Sequence, residues 1–387
     1  MKIVHVCLCG PFNERYAYQD NLLPKYHRKL GNEVTIITTP YGKFLNGNSG
    51  NEIVAEGEYI LDDGTKVIRL KALLPQKINM HIYAYWGLEK VLNQEQPDFV
   101  FVHGVESINY TVLPNYKKKH PKVKIVFDNH TDEINSLHHW STRLYSKLFI
   151  KGFIVPKLIP IAEWFYGTTP VRNDFLIDHY SIPADKVKLL PMGADDEEMH
   201  FEQKENIREE VRKQYGITSD DFLIVTGGKI DPLKNIHVLA EAVARSEYKH
   251  IKILIFGSIQ EQLVDFFKSI ESDRVQCIGW QPSNKVYRFF YAADMVMFPG
   301  LHSVMWEQAV ASCVPCAFSR IKGFEHIDIG GNCVLMEGNN VGYYMNLIED
   351  LYNNTQRISS MKKIANSEKS KQFLYSRIAQ SVIDDVH

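Results

Sequence analysis

Two strand–turn–helix segments in the last third of the chain constrain its fold more than any other feature. In the first, an apolar run at 222–226 leads into GGKIDPLKN at 227–235 and then into an amphipathic helical pattern at 236–244. In the second, residues 298–318 run from an apolar stretch through a glycine turn into a helix. A parallel α/β sheet binds anions at such turns, because unpaired helix N–H groups and the helix dipole point out of the strand ends. Together with two lysines, the turns predict a diphosphate site in the C-terminal half.

Short apolar strands alternate with longer helical patterns along most of the chain. Strands are predicted at 2–9, 33–39, 66–70, 98–102, 123–128, 165–169 and 187–190, and again at 222–227, 251–256, 275–278, 295–298, 315–318 and 333–335. In the first half, helices are predicted at 14–31, 84–95, 107–119, 133–160 and 170–180. The polar, glycine-rich residues 40–65 predict a loop or a hairpin. Repeated strand–helix–strand units favour a parallel, doubly wound sheet.

The length of the chain and a change in its character predict two domains. At 387 residues the chain exceeds what one hydrophobic core usually serves. The segment at 189–201 ends a strand and becomes acidic, which is typical of a linker. We therefore predict an α/β protein with Rossmann-like domains at 1–192 and 193–368 and a C-terminal helix near 369–387 that packs back on the first domain. Two such domains facing across a cleft would bind ligands at the carboxyl ends of their strands.

The composition excludes several classes of protein. A net charge of −2 gives no reason to expect a nucleic-acid partner. Six scattered cysteines indicate small core residues in a reducing compartment. No uncharged apolar run approaches the roughly 18 residues of a transmembrane helix, and the start, MKIVHVCLCG, is too short for a signal peptide. A cytoplasmic location is therefore expected.

Four motifs follow one another along the chain in a recognisable order. They are VFDNHTDE at 126–133, KVKLLPMGAD at 186–195, VTGGKIDPLKN at 225–235 and WEQAVASCVPCAF at 306–318. In this order they resemble the retaining, nucleotide-sugar-dependent glycosyltransferases of family 4, which have the two-Rossmann GT-B fold. The resemblance covers nearly the whole chain. It implies an acceptor-binding first domain, a donor-binding second domain and a place in a bacterial surface-polysaccharide pathway.

The resemblance also implies roles for single residues. Lys229 and Lys234, with four residues between them like the family's arginine and lysine, would bind the donor diphosphate and stabilise its growing charge. Glu307 would bind the ribose hydroxyls, and His130 would act as a catalytic and acceptor-binding residue near the reacting sugar. The other expected donor contacts are Gly10, Gly228, Gly257, Trp280, His302, Ser303 and Val304. The other expected acceptor contacts are Asn13, Tyr18 and Gln19.

One departure from the family pattern affects the donor sugar. The family usually carries two glutamates separated by seven residues, and the position of the first falls here on Pro299. That glutamate normally contacts the donor sugar, so His302 or Ser303 is expected to replace it. Simpler interpretations remain for the other residues. Lys229 and Lys234 could be solvated loop lysines. Glu307 could be an ordinary first-turn glutamate favoured by the helix dipole, and His130 a packed histidine.

Neither a metal ion nor a cofactor is expected. Two lysines and a helix N-terminus can stabilise a departing diphosphate without a divalent ion. The sequence also contains no D-x-D carboxylate pair of the kind that chelates a metal–diphosphate complex in other glycosyltransferases.

The sequence thus predicts a metal-independent, retaining glycosyltransferase. It would move a sugar from a nucleoside diphosphate sugar, with a UDP-sugar as the expected donor, to a hydroxyl of a lipid-linked or oligosaccharide acceptor. A nucleotide-sugar 2-epimerase and a non-catalytic nucleotide-sugar-binding protein are the alternatives. Segment 143–165 mixes four cations with many large apolar residues. It predicts either a packed helix or contact with an anionic membrane, at the inner face of the cell membrane.

Overall fold

The chain forms two compact units in the computed structural model, which describes residues 1–14, 17–42, 52–53, 56–137 and 139–387. One unit consists of Met1–Pro191 with Ile378–His387, and the other of Met192–Arg377. Each contains its own parallel sheet. The prediction of two α/β domains with doubly wound parallel sheets is therefore confirmed.

The sheet of the first unit has eight described strands, and two more form a separate pair. In chain order these are β1 Lys2–Cys7, β2 Glu33–Thr38, β3 Tyr41–Gly42, β4 Glu52–Ile53, β5 Gly57–Ile60, β6 Lys66–Arg69, β7 Phe99–His103, β8 Lys124–Asn129, β9 Trp164–Gly167 and β10 Val187–Leu189. The sheet order is β10-β9-β8-β7-β1-β2-β6-β5, with only β5 antiparallel to its neighbour, and β3 pairs antiparallel with β4. The strand order reverses between β1 and β7, and ligands bind at such a switch point in open α/β sheets.

The helices of this region are shorter than the sequence predicts. They are α1 Gln19–Lys29, α2 Gln76–Ile82, α3 Leu88–Glu95, α4 Leu113–Lys119, α5 Glu133–Ser136, α6 Trp140–Tyr145, α7 Val155–Leu158 and α8 Pro170–Asp174. Wider π-helical turns occupy Ser146–Ile154 and Phe175–His179, and 3₁₀ turns occupy Ile108–Val112 and Ala184–Lys186. The single helix predicted at 133–160 is wrong, because the chain forms several pieces there. Helix α2 was not predicted, since its seven residues show no clear helical period.

The second unit has a six-stranded sheet. Its strands are β11 Phe222–Ile230, β12 Ile251–Ile259, β13 Val275–Gly279, β14 Met295–Phe298, β15 Cys316–Ser319 and β16 Cys333–Met336. They are all parallel and follow the order β13-β12-β11-β14-β15-β16, so the switch point lies between β11 and β14.

Eight α-helices surround or follow these strands in the second unit. They are α9 Asp196–Met199, α10 Lys204–Gln214, α11 Ile236–Arg245, α12 Glu261–Ile270, α13 Val286–Ala292, α14 Met305–Ala311, α15 Val341–Asn353 and α16 Thr355–Ala365. Short 3₁₀ turns occupy Phe201–Gln203, Pro232–Lys234, Ser283–Lys285, Glu325–Ile327 and Glu368–Phe373.

The last helix, α17 at Tyr375–Val386, contributes most of its length to the first unit. The indole Nε1 of Trp164 donates a hydrogen bond to the Asp385 carbonyl at 2.9 Å, and the Tyr166 hydroxyl donates to the Asp385 carboxylate at 2.8 Å. These two bonds attach the helix to β9.

The strands read as continuous apolar runs because parallel strands are covered on both faces. Every residue of β7 and β14 is buried. Helix α11 instead buries one face, formed by Ile236, Leu239, Ala240, Ala242 and Val243, which is the spacing of an amphipathic helix. All six cysteines are free. Among the described helices, none combines the length and the apolar character that a membrane span requires.

Candidate functional site

The switch point of the second unit is built from the end of β11 and the turn that follows β14. The strand predicted at 222–227 ends too early, and the turn predicted from Gly228 onwards is wrong, because β11 continues to Ile230 and pairs with β12 over its whole length. The turn begins at Asp231, whose side-chain Oδ1 accepts backbone N–H groups from Leu233 and Lys234 at 3.0 and 3.2 Å. The glycines therefore belong to a paired strand.

Glycine is required in this strand pair by close approach of the backbones. Gly228 and Gly257 lie opposite each other in β11 and β12, and both have left-handed φ angles, of +106° and +123°. A Cβ atom on Gly257 would overlap the carbonyl oxygen of Gly228. Gly257, expected to contact the donor, thus lies behind Gly228 and supports its conformation.

A cavity of about 200 Å³ opens between the two switch-point segments of this unit. Its lining includes Gly227, Gly228, Lys229, Lys234, Gly300, Leu301 and Ser303. The Lys234 ammonium donates to the carbonyl oxygens of Leu301 and His302 at 2.6 and 3.3 Å. The structure therefore brings both predicted lysines and both predicted glycine segments to one cavity.

The ammonium group of Lys234 lies near a second cation, Lys229. Burial lowers the pKa of Lys234, the carboxylate of Asp231 opposes that shift, and the charge of Lys229 adds to it. Lys229 itself is exposed. Two neighbouring ammonium groups at one end of a cavity repel each other, and a dianionic group placed between them would relieve that repulsion.

Glu307 is fully buried in the first turn of α14, between two histidines. Its Oε1 accepts hydrogen bonds from His302 Nε2 at 2.8 Å and from His326 Nε2 at 2.9 Å. Burial alone would raise the pKa of Glu307, but the charges and hydrogen bonds of His302 and His326 overcome it and lower the pKa to about 2. The carboxylate is thus ionised and fixed in orientation.

The second oxygen of the Glu307 carboxylate can accept a hydrogen bond but receives none. Glu307 Oε2 is buried and has no hydrogen-bond partner. A buried carboxylate oxygen without a donor is costly, so Oε2 can accept a hydrogen bond from a hydroxyl group that reaches it. Glu307 itself is not among the residues that line the cavity. The simpler interpretation, an ordinary first-turn glutamate favoured by the helix dipole, agrees with its position in α14 but does not account for the buried Oε2 without a partner.

The same three side chains have atoms of metal-ligand type within 4.8 Å of one another. Their N···O separations of 2.8 and 2.9 Å are those of charge-assisted hydrogen bonds. Ligands that shared one zinc ion at 2.0–2.1 Å would lie roughly 3.3 Å apart. The observed distances therefore describe two histidines that donate to one carboxylate oxygen.

The remaining predicted donor contacts are scattered. Ser303 lines the cavity and Val304 precedes α14 as its N-cap. His302 is committed to Glu307 through Nε2, so Ser303 is better placed than His302 to replace the missing first glutamate. Trp280, which is 69% exposed, and Gly10, in the first unit, do not line this cavity.

A second polar cluster lies at the carboxyl ends of β7 and β8 in the first unit. Its hub is Asp128, whose Oδ2 lies 3.0 Å from His103 Nδ1 and 3.4 Å from His130 Nε2 and accepts from Gln19 Nε2 at 3.2 Å. Its Oδ1 accepts the Gly104 backbone N–H at 2.8 Å. Two residues predicted for the acceptor side, His130 and Gln19, thus meet at one carboxylate.

The other predicted acceptor residues lie near the start of α1. Tyr18 is its N-cap and is exposed, whereas the Asn13 carbonyl accepts a bond from Asn21 Nδ2 at 2.9 Å. Gly10 has open space around its Cβ position, and its carbonyl accepts from Thr39 Oγ1 at 3.1 Å. The binding roles of these residues remain predictions.

Sequence reasoning missed Asp128, His103 and His326. Asp128 stands in the quoted motif VFDNHTDE, two residues before His130, where the end of a predicted strand could have drawn attention to it. His326 follows Glu307 by 19 residues with no periodic relation. Only the fold brings these two side chains together.

Comparisons with known proteins cover most of the chain in two parts. Residues 21–198 match the profile of Glycosyltransferase Family 4, and residues 207–369 match that of Glycosyl transferases group 1. D-inositol 3-phosphate glycosyltransferase of Paenarthrobacter aurescens is 22% identical over 224 residues, which are 54% of this chain and 53% of that protein. The match therefore spans about half the length of this curated relative.

Solved structures resemble the chain over its whole length. HepE (Alr3699) of Anabaena, solved in complex with UDP, has a TM-score of 0.67 at 16% identity and covers 99% of each chain. UDP-GlcNAc 2-epimerase from Neisseria meningitidis, solved with UDP-GlcNAc bound, has a TM-score of 0.62 at 16% identity over 100% of this chain and 99% of that one. At these identities the likeness establishes a common fold.

Proposed function

Because residues 21–198 belong to Glycosyltransferase Family 4 and residues 207–369 to Glycosyl transferases group 1, we propose that the chain is a retaining glycosyltransferase. Its donor is a nucleoside diphosphate sugar, with UDP as the first nucleotide to test. Its acceptor is a hydroxyl of a lipid-linked or oligosaccharide intermediate in polysaccharide biosynthesis.

The cavity between β11 and β14 carries this proposal. Its glycine backbone lets a ligand approach closely, and the paired ammonium groups of Lys229 and Lys234 match the charge of a diphosphate. As the sugar leaves, negative charge grows on the diphosphate, so the same lysines stabilise the transition state more than the ground state.

Glu307 supplies the nucleoside contact in this proposal. Its orphan Oε2 accepts hydrogen bonds from ribose hydroxyls, while His302 and His326 hold the carboxylate through Oε1. Ribose is common to the donor and the nucleotide product, so this contact serves both.

The acceptor side is assigned to the Asp128 cluster. His130 is partly exposed and is oriented by Asp128, which suits a residue that contacts the reacting sugar. Retention of the anomeric configuration is expected from the family. It is tested by the anomeric coupling constant of the product in proton NMR.

A 2-epimerase is the competing enzyme, because one such enzyme shares the fold at a TM-score of 0.62. The pairing of the GGKIDPLK segment with a glutamate in the α14 helix favours transfer. A transferase releases nucleotide, faster with acceptor present, whereas an epimerase keeps nucleotide and sugar joined.

The test uses the purified full chain with UDP-glucose, UDP-N-acetylglucosamine and GDP-mannose. Each is first scored by thermal shift, since a bound ligand stabilises the folded state in proportion to its occupancy. Nucleotide release is then followed with and without a membrane glycolipid extract. Lys229→Ala should lose most release, and the matched control Lys268→Ala, an exposed lysine of the same unit, should keep it.

Three results of this test would contradict the proposal. An interconverted UDP-sugar without free UDP would establish an epimerase. A strong thermal shift with neither reaction would establish a binding protein. Loss of release in excess chelator, restored by magnesium or manganese, would contradict metal independence.

Peripheral membrane contact is the second part of the proposal, and segment 143–165 carries it. Its large apolar residues divide into two faces: Ile150, Ile154, Val155 and Leu158 are buried in the core of the first unit, whereas Leu144, Leu148 and Phe153 are exposed. One side of segment 143–165 is therefore a packed part of the core, and the other side is open to contact at the surface. The Lys157 ammonium lies 3.4 Å from the centre of the Phe153 ring.

An exposed apolar and basic face of this kind fits the headgroup region of an anionic bilayer, where each cation contributes about 1 kcal/mol. We expect co-sedimentation with vesicles of phosphatidylglycerol, weakened by salt and by replacement of Lys147, Lys151 and Lys157 with glutamine. Replacement of Lys90, Lys118 and Lys122 makes the same charge change elsewhere on this unit and should matter less. Equal recovery in the supernatant with and without vesicles would remove the membrane contact.

A further inference from the structure

Three buried histidines form a continuous chain through the core of the first unit. We call His27, His5 and His103 the histidine chain. His27 Nε2 lies 3.2 Å from the Ala379 carbonyl oxygen, His27 Nδ1 lies 3.0 Å from His5 Nε2, and His5 Nδ1 lies 3.0 Å from His103 Nε2. The histidine chain thus runs from α17 through α1 and β1 to β7, and it ends beside Asp128.

The hydrogen positions in this chain follow from its two ends. A carbonyl oxygen only accepts, so His27 Nε2 carries a proton. Burial lowers the pKa of His27 to about 3, so the ring is neutral and its Nδ1 is an acceptor. His5 Nε2 must therefore donate to His27.

The same reasoning applies one ring further. Burial first, and then the charges of His27 and His103, hold the pKa of His5 well below its usual value, against an opposing effect of Asp128. A neutral His5 that donates through Nε2 must accept through Nδ1. Within the part of the chain that the structure describes, His103 Nε2 is the atom placed to supply that proton, so it also carries hydrogen.

The Asp128 end of the histidine chain determines whether the second nitrogen of His103, Nδ1, carries a proton. Burial would raise the pKa of Asp128, but His103 and His130 hold it well below its usual range. His103 Nδ1 lies 3.0 Å from this ionised carboxylate, close in distance but poorly aligned for a hydrogen bond. An unprotonated Nδ1 would place its partial negative charge 3.0 Å from the carboxylate oxygen whatever the alignment, so Nδ1 is protonated as well.

We infer that His103 is a resident imidazolium in the core, kept doubly protonated by His5 and His27, and that its ion pair with Asp128 positions Gln19 and His130 on the acceptor side. The positioning role rests on the proposed transferase function. His5 and His27 contact no substrate in this scheme and act only through His103.

Two other ionisable groups, Asp20 and Cys7, lie near His103 and Asp128. Asp20 on α1 is raised in pKa by burial and by Asp128, while His103 and His130 lower it. Cys7 on β1 is held protonated, with its thiol pKa raised by burial and then by the nearby carboxylates of Asp20 and Asp128. A cation at His103 offsets this concentration of negative charge, which a neutral ring could not do.

The charge is tested directly by NMR of the full-length chain labelled with ¹⁵N-histidine. At pH 8, well above the usual histidine pKa of about 6.5, we expect both ring nitrogens of His103 to show the shifts of protonated sites. The signals are assigned by their loss in His103→Gln. A single protonated nitrogen at pH 8 would overturn the inference.

The positioning role is tested with variants of His5. His5→Phe removes the acceptor for His103 Nε2, and we expect a neutral His103 and about a tenfold lower rate of UDP release from a stabilising UDP-sugar, with unchanged UDP affinity. His5→Gln can still accept and donate and should restore much of the rate. Phe101→Leu is the packing control, because Phe101 stacks on His5 and packs at a tilt against His103 without joining the histidine chain.

A wild-type rate in His5→Phe, or equal losses in His5→Phe and Phe101→Leu, would refute the positioning role. The NMR measurement requires no substrate, so the two proposals fail separately. A doubly protonated His103 in a chain that transfers no sugar would contradict the transferase and leave the charge assignment intact. A singly protonated His103 in an active transferase would do the reverse.

Discussion

Replacement of Glu307 by glutamine tests the buried His302–Glu307–His326 cluster most directly. Glu307→Gln keeps the size of the side chain and an oxygen that can accept from both histidines, but removes the charge. The pKa of Glu307 falls from an ordinary 4.5 to about 2 in the folded state. Each unit corresponds to about 1.36 kcal/mol, so ionisation contributes about 3 kcal/mol to stability.

The sign of this contribution sets its pH range. Because the folded-state pKa is lowered, the stability is fully present above pH 4.5 and is lost as the pH falls towards 2. We therefore expect the variant to be less stable than wild type at pH 7 and the difference to shrink below pH 4.5. Urea unfolding followed by tryptophan fluorescence should show a midpoint lower by about 1–3 M at pH 7, given usual m-values.

The same substitution should weaken binding of UDP as well as of the donor. A hydrogen bond to a charged acceptor is worth about 1.5–3 kcal/mol, or roughly 10–150-fold in Kd. Glu337→Gln is the matched control, since Glu337 is exposed and its ion pair with Arg320 is a surface contact. A wild-type midpoint at both pH 7 and pH 3, with unchanged UDP affinity by calorimetry, would refute the reasoning.

The remaining predictions concern the lysines, His130 and a glycine. Lys229→Ala and Lys234→Ala should each lower kcat by ~10²–10³ with a smaller effect on donor affinity, because they face charge that grows in the transition state; normal turnover by both would remove the diphosphate assignment. His130→Ala should lower transfer and leave UDP affinity by calorimetry nearly intact, and a collapse of UDP affinity in a folded variant would place His130 on the donor side instead. Gly257→Ala should lower the melting temperature of the chain by several degrees, because its Cβ would overlap the Gly228 carbonyl; the control Gly279→Ala also has a positive φ, of +72°, but has open space around its Cβ and should cost less.

The sequence by itself determined the elements and the edges of the sheets where ligands should bind. Apolar runs and helical periodicity arise from local burial, and all thirteen predicted strands correspond to strands of the structure. Lys229, Lys234 and Ser303 could be placed at one cavity from sequence, because they follow two strands that adjoin the same switch point. The broken helix around 133–158 was missed, since periodicity records which face is buried and is insensitive to local changes of helical pitch.

The tertiary structure decided which side chains meet across distant elements. His326 reaches Glu307 from a separate 3₁₀ turn, and His5, His27 and His103 come from three different elements. The strand position of Gly228 was hidden for the same reason: a glycine signals conformational freedom, but only its pairing with Gly257 determines where that freedom is used. Hydrogen bonds between residues 19 to 98 positions apart leave no periodic trace in a sequence, because they depend on how the elements are placed in the fold.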